Sequence, residues 1–455
     1  KRYFSATSYL AAVSGGSIPR NSSSAVTKAL EDSADLSEFE LLDVLGHGTF
    51  GTVKLARHLD SGASVAVKVL AKEVIRDLKQ EKNILREQTV HLQLDHPFIS
   101  RLFATFQDSH ALYFVVEFCP GGEVYSLVYT HDDGHLEEDE EDEDDEDDAE
   151  KKPPQPPRQP QHEEDPEVSD TVTTDSESDE EQTRQQTASQ RRSTMSRRSS
   201  VVTRRRGGSS RGRHSLSLEN FLAKQTLRSS HGGLHERFAV FYAACLVSAL
   251  AYLHDRNILY RDLKLENLVL DVDGYPKLID FGLSKPDALR KQRNHSDLRN
   301  TTMCGSMEYM APEILQHQPY DQRVDLWAFG VILYELLFGA TPFYHPNQRE
   351  QGRRIISEAV EFPEGYEERH LSVCALIRSL LAKDPTQRPA SFAEVRKSTF
   401  FRSYFPTAQT WQQLESRRIT APFVPKLNGP FDTSLFVRVH EEEDDCSDGD
   451  SDFGY

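Results

Sequence analysis

Five short motifs, far apart but in a fixed order, carry the residue types needed to move a phosphoryl group. Gly46-His47-Gly48-Thr49-Phe50-Gly51-Thr52-Val53 comes first. Glycines at that spacing let backbone N–H groups approach an anion. β-like residues flank the motif on both sides, and Val53 to Leu55 runs on as a strand. That predicts a hairpin lid over phosphates and not the strand–turn–helix of a dinucleotide fold. Val65-Ala66-Val67-Lys68 supplies an ammonium for the α- and β-phosphates. Lys68 needs a carboxylate to fix it. Glu87 suits by its distance from His96-Pro97-Phe98, with Glu81 as the alternative. Tyr260-Arg261-Asp262-Leu263-Lys264-Leu265-Glu266-Asn267 adds Asp262, to orient a substrate hydroxyl and accept its proton. Lys264 would neutralise charge on the transferred group. Asn267, and Asp280 of Asp280-Phe281-Gly282, offer oxygen ligands to Mg2+. The last motif is Ala311-Pro312-Glu313, where Glu313 is expected to pair with Arg388. Asp325 is expected to accept backbone N–H groups from the Asp262 loop.

Elements must hold these groups. Strand-like runs at Glu40 to Gly46, Val53 to Arg57 and Ser64 to Leu70 are followed by one helical pattern from Val74 to Leu94. Two more strands are expected at Leu102 to Phe106 and Leu112 to Phe118. Helical apolar spacing through Ala239, Tyr242, Leu246, Leu250 and Leu253 opens a mostly helical region ending near Phe405. The apolar stretch from Phe238 to Leu253 is too short and interrupted to span a bilayer and reads as a core helix. The fold class is therefore α+β and bilobal: a small antiparallel-β N-terminal lobe with one main helix, then a larger helical lobe. Residues 1–37 are expected to be disordered, 38–403 to form the catalytic domain, and 404–455 to form a C-terminal tail. The chain starts at Lys1 without Met, which suggests a fragment.

The 455 residues carry a formal charge of -20, most of it in two stretches. One is an insertion at about 130–232: residues 137–150 are acidic except for Ala149, Lys151 to Gln161 is rich in Pro and Gln, and 191–213 is Arg-rich without an acid. Such composition cannot bury enough apolar surface to offset the entropy of ordering it, so disorder is expected. The other is the acidic C-terminus. The pI thus says little about what the folded part binds. Five scattered cysteines (Cys119, Cys245, Cys304, Cys374, Cys446) without a C-x-x-C suggest reduced thiols and a cytoplasmic or nuclear setting. No membrane partner is expected. The Arg tract lacks interleaved aromatics and adjoins strong negative charge, so no nucleic-acid partner is expected either.

The motif set resembles a eukaryotic serine/threonine protein kinase. The motif spacing, Tyr260 in place of a usual His, and Ala421-Pro422-Phe423-Val424-Pro425-Lys426 resemble the AGC group. Phe241 to Leu253 and Leu270 to Phe281 are similar to cyclic-nucleotide-dependent kinases, the cGMP-dependent type most closely. The resemblance covers about 40–126 and 234–440. It implies ATP and Mg2+ as cofactors, with a nucleotide site formed by Leu45, Gly46, Gly48, Gly51, Val53, Ala66, Lys68, Glu87, Glu117, Cys119 and Glu123, and with Phe436 of the tail reaching the adenine pocket. It also implies protein substrates with basic residues before the Ser or Thr. Glu123, Glu266 and Glu335 match the group's carboxylates for Arg two and three positions before the acceptor. Glu123 also suits the ribose, and Glu335 could instead be a helix salt-bridge partner.

Arg261, beside the catalytic Asp, calls for a phosphate partner, which predicts control by phosphorylation at Thr302 in Thr301-Thr302-Met303-Cys304-Gly305-Ser306 by an upstream activating kinase. Lys285 is a candidate second contact. Arg197-Arg198-Ser199-Ser200-Val201 and Arg191-Arg192-Ser193-Thr194-Met195 have the form that such a site should phosphorylate. A pseudokinase scaffold would require loss of Lys68, Asp262, Asn267 or Asp280, and all four are present.

Overall fold

The computed structural model describes residues 24–129, 219–286 and 305–436. The chain divides into two compact units, Lys1–Thr130 with Arg192–Tyr455, and His131–Arg191; the described residues all belong to the first. Thr302, Cys304, the acidic run and the Arg tract lie outside them.

Five antiparallel strands make the N-terminal sheet: β1 (Phe39–Gly48), β2 (Gly51–His58), β3 (Ser64–Ala71), β4 (Leu102–Gln107) and β5 (Ala111–Glu117), in the order β1-β2-β3-β5-β4. β2 pairs with β3 so that Val53 lies opposite Lys68. β1 and β2 form the glycine hairpin, closed by Gly48 opposite Gly51. Gly51 is required by close approach, because a Cβ there would collide with the Val69 carbonyl of β3.

The single helix expected from Val74 to Leu94 is two. α2 (Lys72–Asp77) and α3 (Glu81–His91) are separated at Leu78–Gln80, where Lys79 takes φ 53°. That left-handed turn resets the axis of α3, and periodicity cannot reveal a break between two helices of similar pattern. A second difference lies at the N-terminus. Residues 24–32, part of the segment expected to be disordered, form α1 (Ser24–Asp32). Thr27 and Leu30 are fully buried. Leu30 joins the apolar cluster of Phe39, Val65, Phe103 and Val115 on the sheet, and Glu31 lies 3.7 Å from Arg101. Burying a leucine contributes roughly 2 kcal/mol, enough to hold a short helix that composition alone would leave undecided.

The insertion ends earlier than expected. A helix covers 219–225 and Leu227 is buried. Asn220 exchanges two 2.9 Å hydrogen bonds with the backbone of Lys426. The segment is thus held by the C-terminal tail, a contact distant in sequence.

The Glu236–Asp255 helix is apolar on all sides and buried from Ala239 to Leu250. By length and composition it could cross a membrane, but most of its apolar stretch is enclosed by the core. Beside it, the Arg323–Phe338 helix carries Asp325, and short strands Leu268–Leu270 and Pro276–Leu278 lead to Asp280. The two lobes are stitched there. Leu278 donates to Phe98 O (2.9 Å) and Ser100 donates to Leu278 O (3.0 Å); within the large lobe, Ile279 donates to Asn267 O (2.9 Å). Glu313 and Arg388 form a bidentate pair at 2.7 and 2.8 Å, both buried.

Removing one partner of that pair leaves a charge in the core. Glu313→Ala is expected to destabilise the protein by roughly 3–5 kcal/mol, read as a lowered midpoint in urea or thermal unfolding. An effect under about 1 kcal/mol, the range of exposed pairs, would contradict its structural importance.

Candidate active site

Lys68, in the middle of β3, reaches across to α3, where its Nζ lies 2.7 Å from Glu87 Oε1. Glu87 therefore takes the position that spacing left open between it and Glu81. Nζ is also 3.5 Å from Asp280 Oδ1. Burial works against the ammonium, but Asp280 and Glu87 outweigh it and raise its pKa. Burial raises Glu87, against the pull of Lys68. Lys68 lowers Asp280, which stays ionised beside it.

Asp280 has φ 58°, an uncommon conformation held by its own Oδ1 accepting from Gly282 N at 3.1 Å. Gly282 has a packing reason: a methyl there would stand 3.2 Å from Asp280 Oδ1 and 3.3 Å from Glu87 Oε2. Phe281 is fully buried and lies between His91 of α3 (4.6 Å) and Tyr260 (5.5 Å). Glu87 and Asp280 are thereby tied through packing as well as through Lys68.

Asp262 sits opposite. Asn267 donates from Nδ2 to Asp262 O (2.8 Å) and Oδ2 (3.1 Å), which orients the carboxylate. Lys264 Nζ is 3.7 Å from the same Oδ2. Burial raises Asp262, partly offset by Lys264. The loop is anchored from below by buried Asp325. Its Oδ2 accepts from Tyr260 N (3.0 Å) and lies 2.8 Å from His254 Nε2, and its Oδ1 accepts from Arg261 N (2.9 Å). Arg261 itself has φ 68°. Its side chain donates to Leu283 O (2.8 Å) and the Tyr320 hydroxyl (3.0 Å), tying it to the segment that follows Phe281.

A second group of residues forms an apolar slot. Leu55, Ala66 and Phe118 cluster with Leu45, Val53 and Phe436, and Phe436 stacks on Phe118 with centroids 5.9 Å apart. Cys119 is buried, and burial pushes its thiol pKa up. Glu117 turns its carboxylate to Lys277 at 2.8 Å. Gly46 faces open space, and a Cβ on Gly48 would meet only Gly51 O at 3.8 Å. Packing does not demand glycine at either, which leaves room for an anion over the hairpin.

Glu123 is partly buried, and its backbone bridges to Val269. Glu266 Oε2 is buried with no hydrogen-bond partner among the described residues. Glu335, 2% exposed, accepts from the hydroxyls of Tyr129 and Tyr309. No cation pairs with it among the described residues. Tyr129, Tyr309 and Glu308 were not singled out from sequence. Periodicity carries no signal for a hydroxyl that meets a carboxylate from another element. Gly122 was not singled out from sequence either. It has φ 76°, and a Cβ there would stand 2.7 Å from Leu435 O, so its conformation and the approach of the tail both need glycine.

Residues 39–143 and 173–401 match the model of the protein kinase domain. Human (Homo sapiens) serine/threonine-protein kinase Sgk2 is 30% identical over 407 residues, 89% of this chain and 80% of the relative. Serine/threonine-protein kinase Sgk1 of Oryctolagus cuniculus is 32% identical over 411 residues, 90% of this chain and 69% of the relative. The similarity to the cGMP-dependent type is not supported. The stretches that suggested it are the buried Glu236–Asp255 helix and the strand pair before Asp280, whose sequences are constrained by core packing and do not separate subtypes. With this arrangement of Lys68, Glu87, Asp262, Asn267 and Asp280 and these relatives, the chain belongs to the protein kinase family, as a serine/threonine protein kinase of the AGC group.

Proposed function

We propose that this kinase transfers the γ-phosphoryl group of ATP to Ser or Thr in basic contexts such as Arg-Arg-x-Ser, and that it is switched on by phosphorylation of Thr302. The observation that carries the transfer reading is the convergence of Lys68, Glu87 and Asp280 on one side and Asp262 with Asn267 on the other. The apolar slot closed by Phe436 suits a purine, and the open space at Gly46 suits its phosphates. Lys68 would bind the α- and β-phosphate oxygens. The residues fit Mg2+: half-exposed Asp280, kept ionised by Lys68, and the Asn267 amide are hard oxygen donors. Bound there, the metal would screen the negative charge between phosphate oxygens. Asp262, held by Asn267, would align the substrate hydroxyl and take its proton as the γ-phosphorus bond to the ADP oxygen breaks. Lys264 would stabilise the charge on the moving group.

Glu266, Glu308 and Glu335 support the basic preference. Glu266 and Glu308 disfavour charge on Glu335, and Glu266 Oε2 is buried with no hydrogen-bond partner among the described residues. Arg261 supports the switch, since it is already tied to the segment leading toward Thr302. From the five scattered cysteines without a C-x-x-C we also infer a cytoplasmic or nuclear setting.

Labelled phosphate should pass from Mg-ATP to Arg-Arg-Ala-Ser-Val and not to an acidic Ser peptide, and Asp280→Ala should abolish it. Equal labelling of both peptides would reject the basic preference. No labelling by Thr302-phosphorylated enzyme would reject catalysis. Asp262 is raised above the ordinary aspartate value of 3.8. The active carboxylate is therefore present above its raised pKa and lost as pH falls through it, and the acid limb of kcat should lie above that of a solvated aspartate. Phosphorylating Thr302 should raise kcat in the wild type and have little effect in Arg261→Ala. An equal gain in both would remove Arg261 from the switch.

A further inference from the structure

Glu335 is a buried carboxyl without a counter-charge among the described residues. It lies in the Arg323–Phe338 helix and is 2% exposed. Its hydrogen-bond partners are neutral: the Tyr129 hydroxyl at 2.8 Å from Oε1, and the Tyr309 hydroxyl at 3.0 Å from Oε1 and 2.8 Å from Oε2. The charged groups acting on it, Glu266 of the Asp262 loop and Glu308 beside Tyr309, are both acids. Glu308 is in turn held by Thr341 at 3.3 Å. An ionised carboxylate is costly in such a place unless a cation joins it.

We propose that Tyr129 is a positioning residue for the substrate's basic side chain: with Tyr309 it aims the Glu335 carboxyl by donated hydrogen bonds, and that carboxyl, kept neutral by its burial beside two other acids, releases its proton to solvent when a guanidinium enters between Glu335 and Glu266. The inference rests on the basic-substrate reading above and adds to it a residue and a proton. The Tyr129 ring is held by stacking on Tyr125, with centroids 4.3 Å apart, so its hydroxyl is aimed before substrate arrives. Tyr129 follows directly on the short Tyr125–Val128 helix and is the last described residue before the insertion. Burial, with Glu266 and Glu308 beside it, pushes Glu335 up to about 8 against the two hydroxyls, which draw it down. Below that value the carboxyl is protonated, and binding an arginine costs one proton released. Above it, the carboxylate is already formed. A basic peptide should therefore bind more tightly as pH rises through about 8, the reverse of what loss of charge on the peptide would do. Tyr129 stabilises the ionised form, so removing its hydroxyl should weaken arginine binding and move the pH dependence upward.

The test compares Arg-Arg-Ala-Ser-Val with Arg-Ala-Ala-Ser-Val in wild type and Tyr129→Phe. KM is measured between about pH 6.5 and 9, and peptide binding is followed by calorimetry in two buffers of different ionisation enthalpy. For the first peptide, KM should fall as pH rises, and proton release should accompany binding at neutral pH. Tyr129→Phe should raise its KM about tenfold, the size of one hydrogen bond to a charged group, with kcat unchanged. The second peptide should show neither proton release nor sensitivity to the mutation. Equal KM changes for both peptides, or arginine binding without proton release, would overturn the inference. Calorimetry reads the linkage without turnover. Proton-coupled binding with no phosphate transfer would sink the catalytic reading and leave this one standing.

Discussion

The ion pair between Lys68 and Glu87 is the constraint on which the site depends. It joins the middle of β3 to α3 at 2.7 Å, and Asp280 comes to the same ammonium from the other lobe. Each of the three charges would be expensive alone in this partly dry cleft, and together they are stable. That explains why the local geometry is so closely determined. A methyl on Gly282 would crowd both carboxylates, at 3.2 Å from Asp280 Oδ1 and 3.3 Å from Glu87 Oε2. His91, Phe281 and Tyr260 pack in sequence from α3 to the catalytic loop, so a rotation of α3 would disturb both Glu87 and the segment carrying Asp280.

Asp325 does for the catalytic loop what Glu87 does for Lys68. It is buried, and its acceptor capacity goes to two backbone N–H groups and His254. Those contacts hold Arg261 at φ 68°, a conformation that the chain alone would resist. Asp262 follows directly. Its alignment is therefore set from the core of the large lobe, whereas Lys68 and Glu87 belong to the small one. The backbone links from Phe98 and Ser100 to Leu278 bring the two halves into register.

The residues of the candidate site were more legible in the sequence than the architecture was. Lys68, Asp262, Lys264, Asn267 and Asp280 could be read because each sits in a local motif. Glu87 emerged only with an alternative, since its distance from Lys68 depends on where α3 begins. The left-handed Lys79 that sets this start has no periodic signature. α1 and the helix at 219–225 were read as disorder for a related reason. Their compositions are weak, and what orders them is remote: Leu30 on the sheet, and Asn220 on the backbone of Lys426. Tertiary contact overrides local propensity there. The five-stranded sheet, whose apolar alternation is strong, showed its elements to within a few residues.

The cleft and the tail are also connected in a way that a motif search conceals. Gly121 and Gly122 look like hinge flexibility. The structure gives each a different, rigid reason. Leu270 packs so closely on Gly121 that a Cβ would stand 2.6 Å from its own Cβ, and the tail backbone at Leu435 does the same to Gly122 at 2.7 Å. Gly121 donates to Leu270 O and Leu270 to Gly122 O, both at 2.8 Å, so the connection between lobes is stapled to the large lobe. The next tail residue, Phe436, stacks on Phe118. The apolar slot is therefore completed by a residue more than 300 positions from its other walls, and its shape depends on the tail staying docked. Asn220 and Lys224 reinforce that docking from the end of the insertion, through Lys426 and the Phe423 ring. The segment that looks most dispensable in the sequence thus ends in residues that hold the tail, and through the tail the wall of the apolar slot.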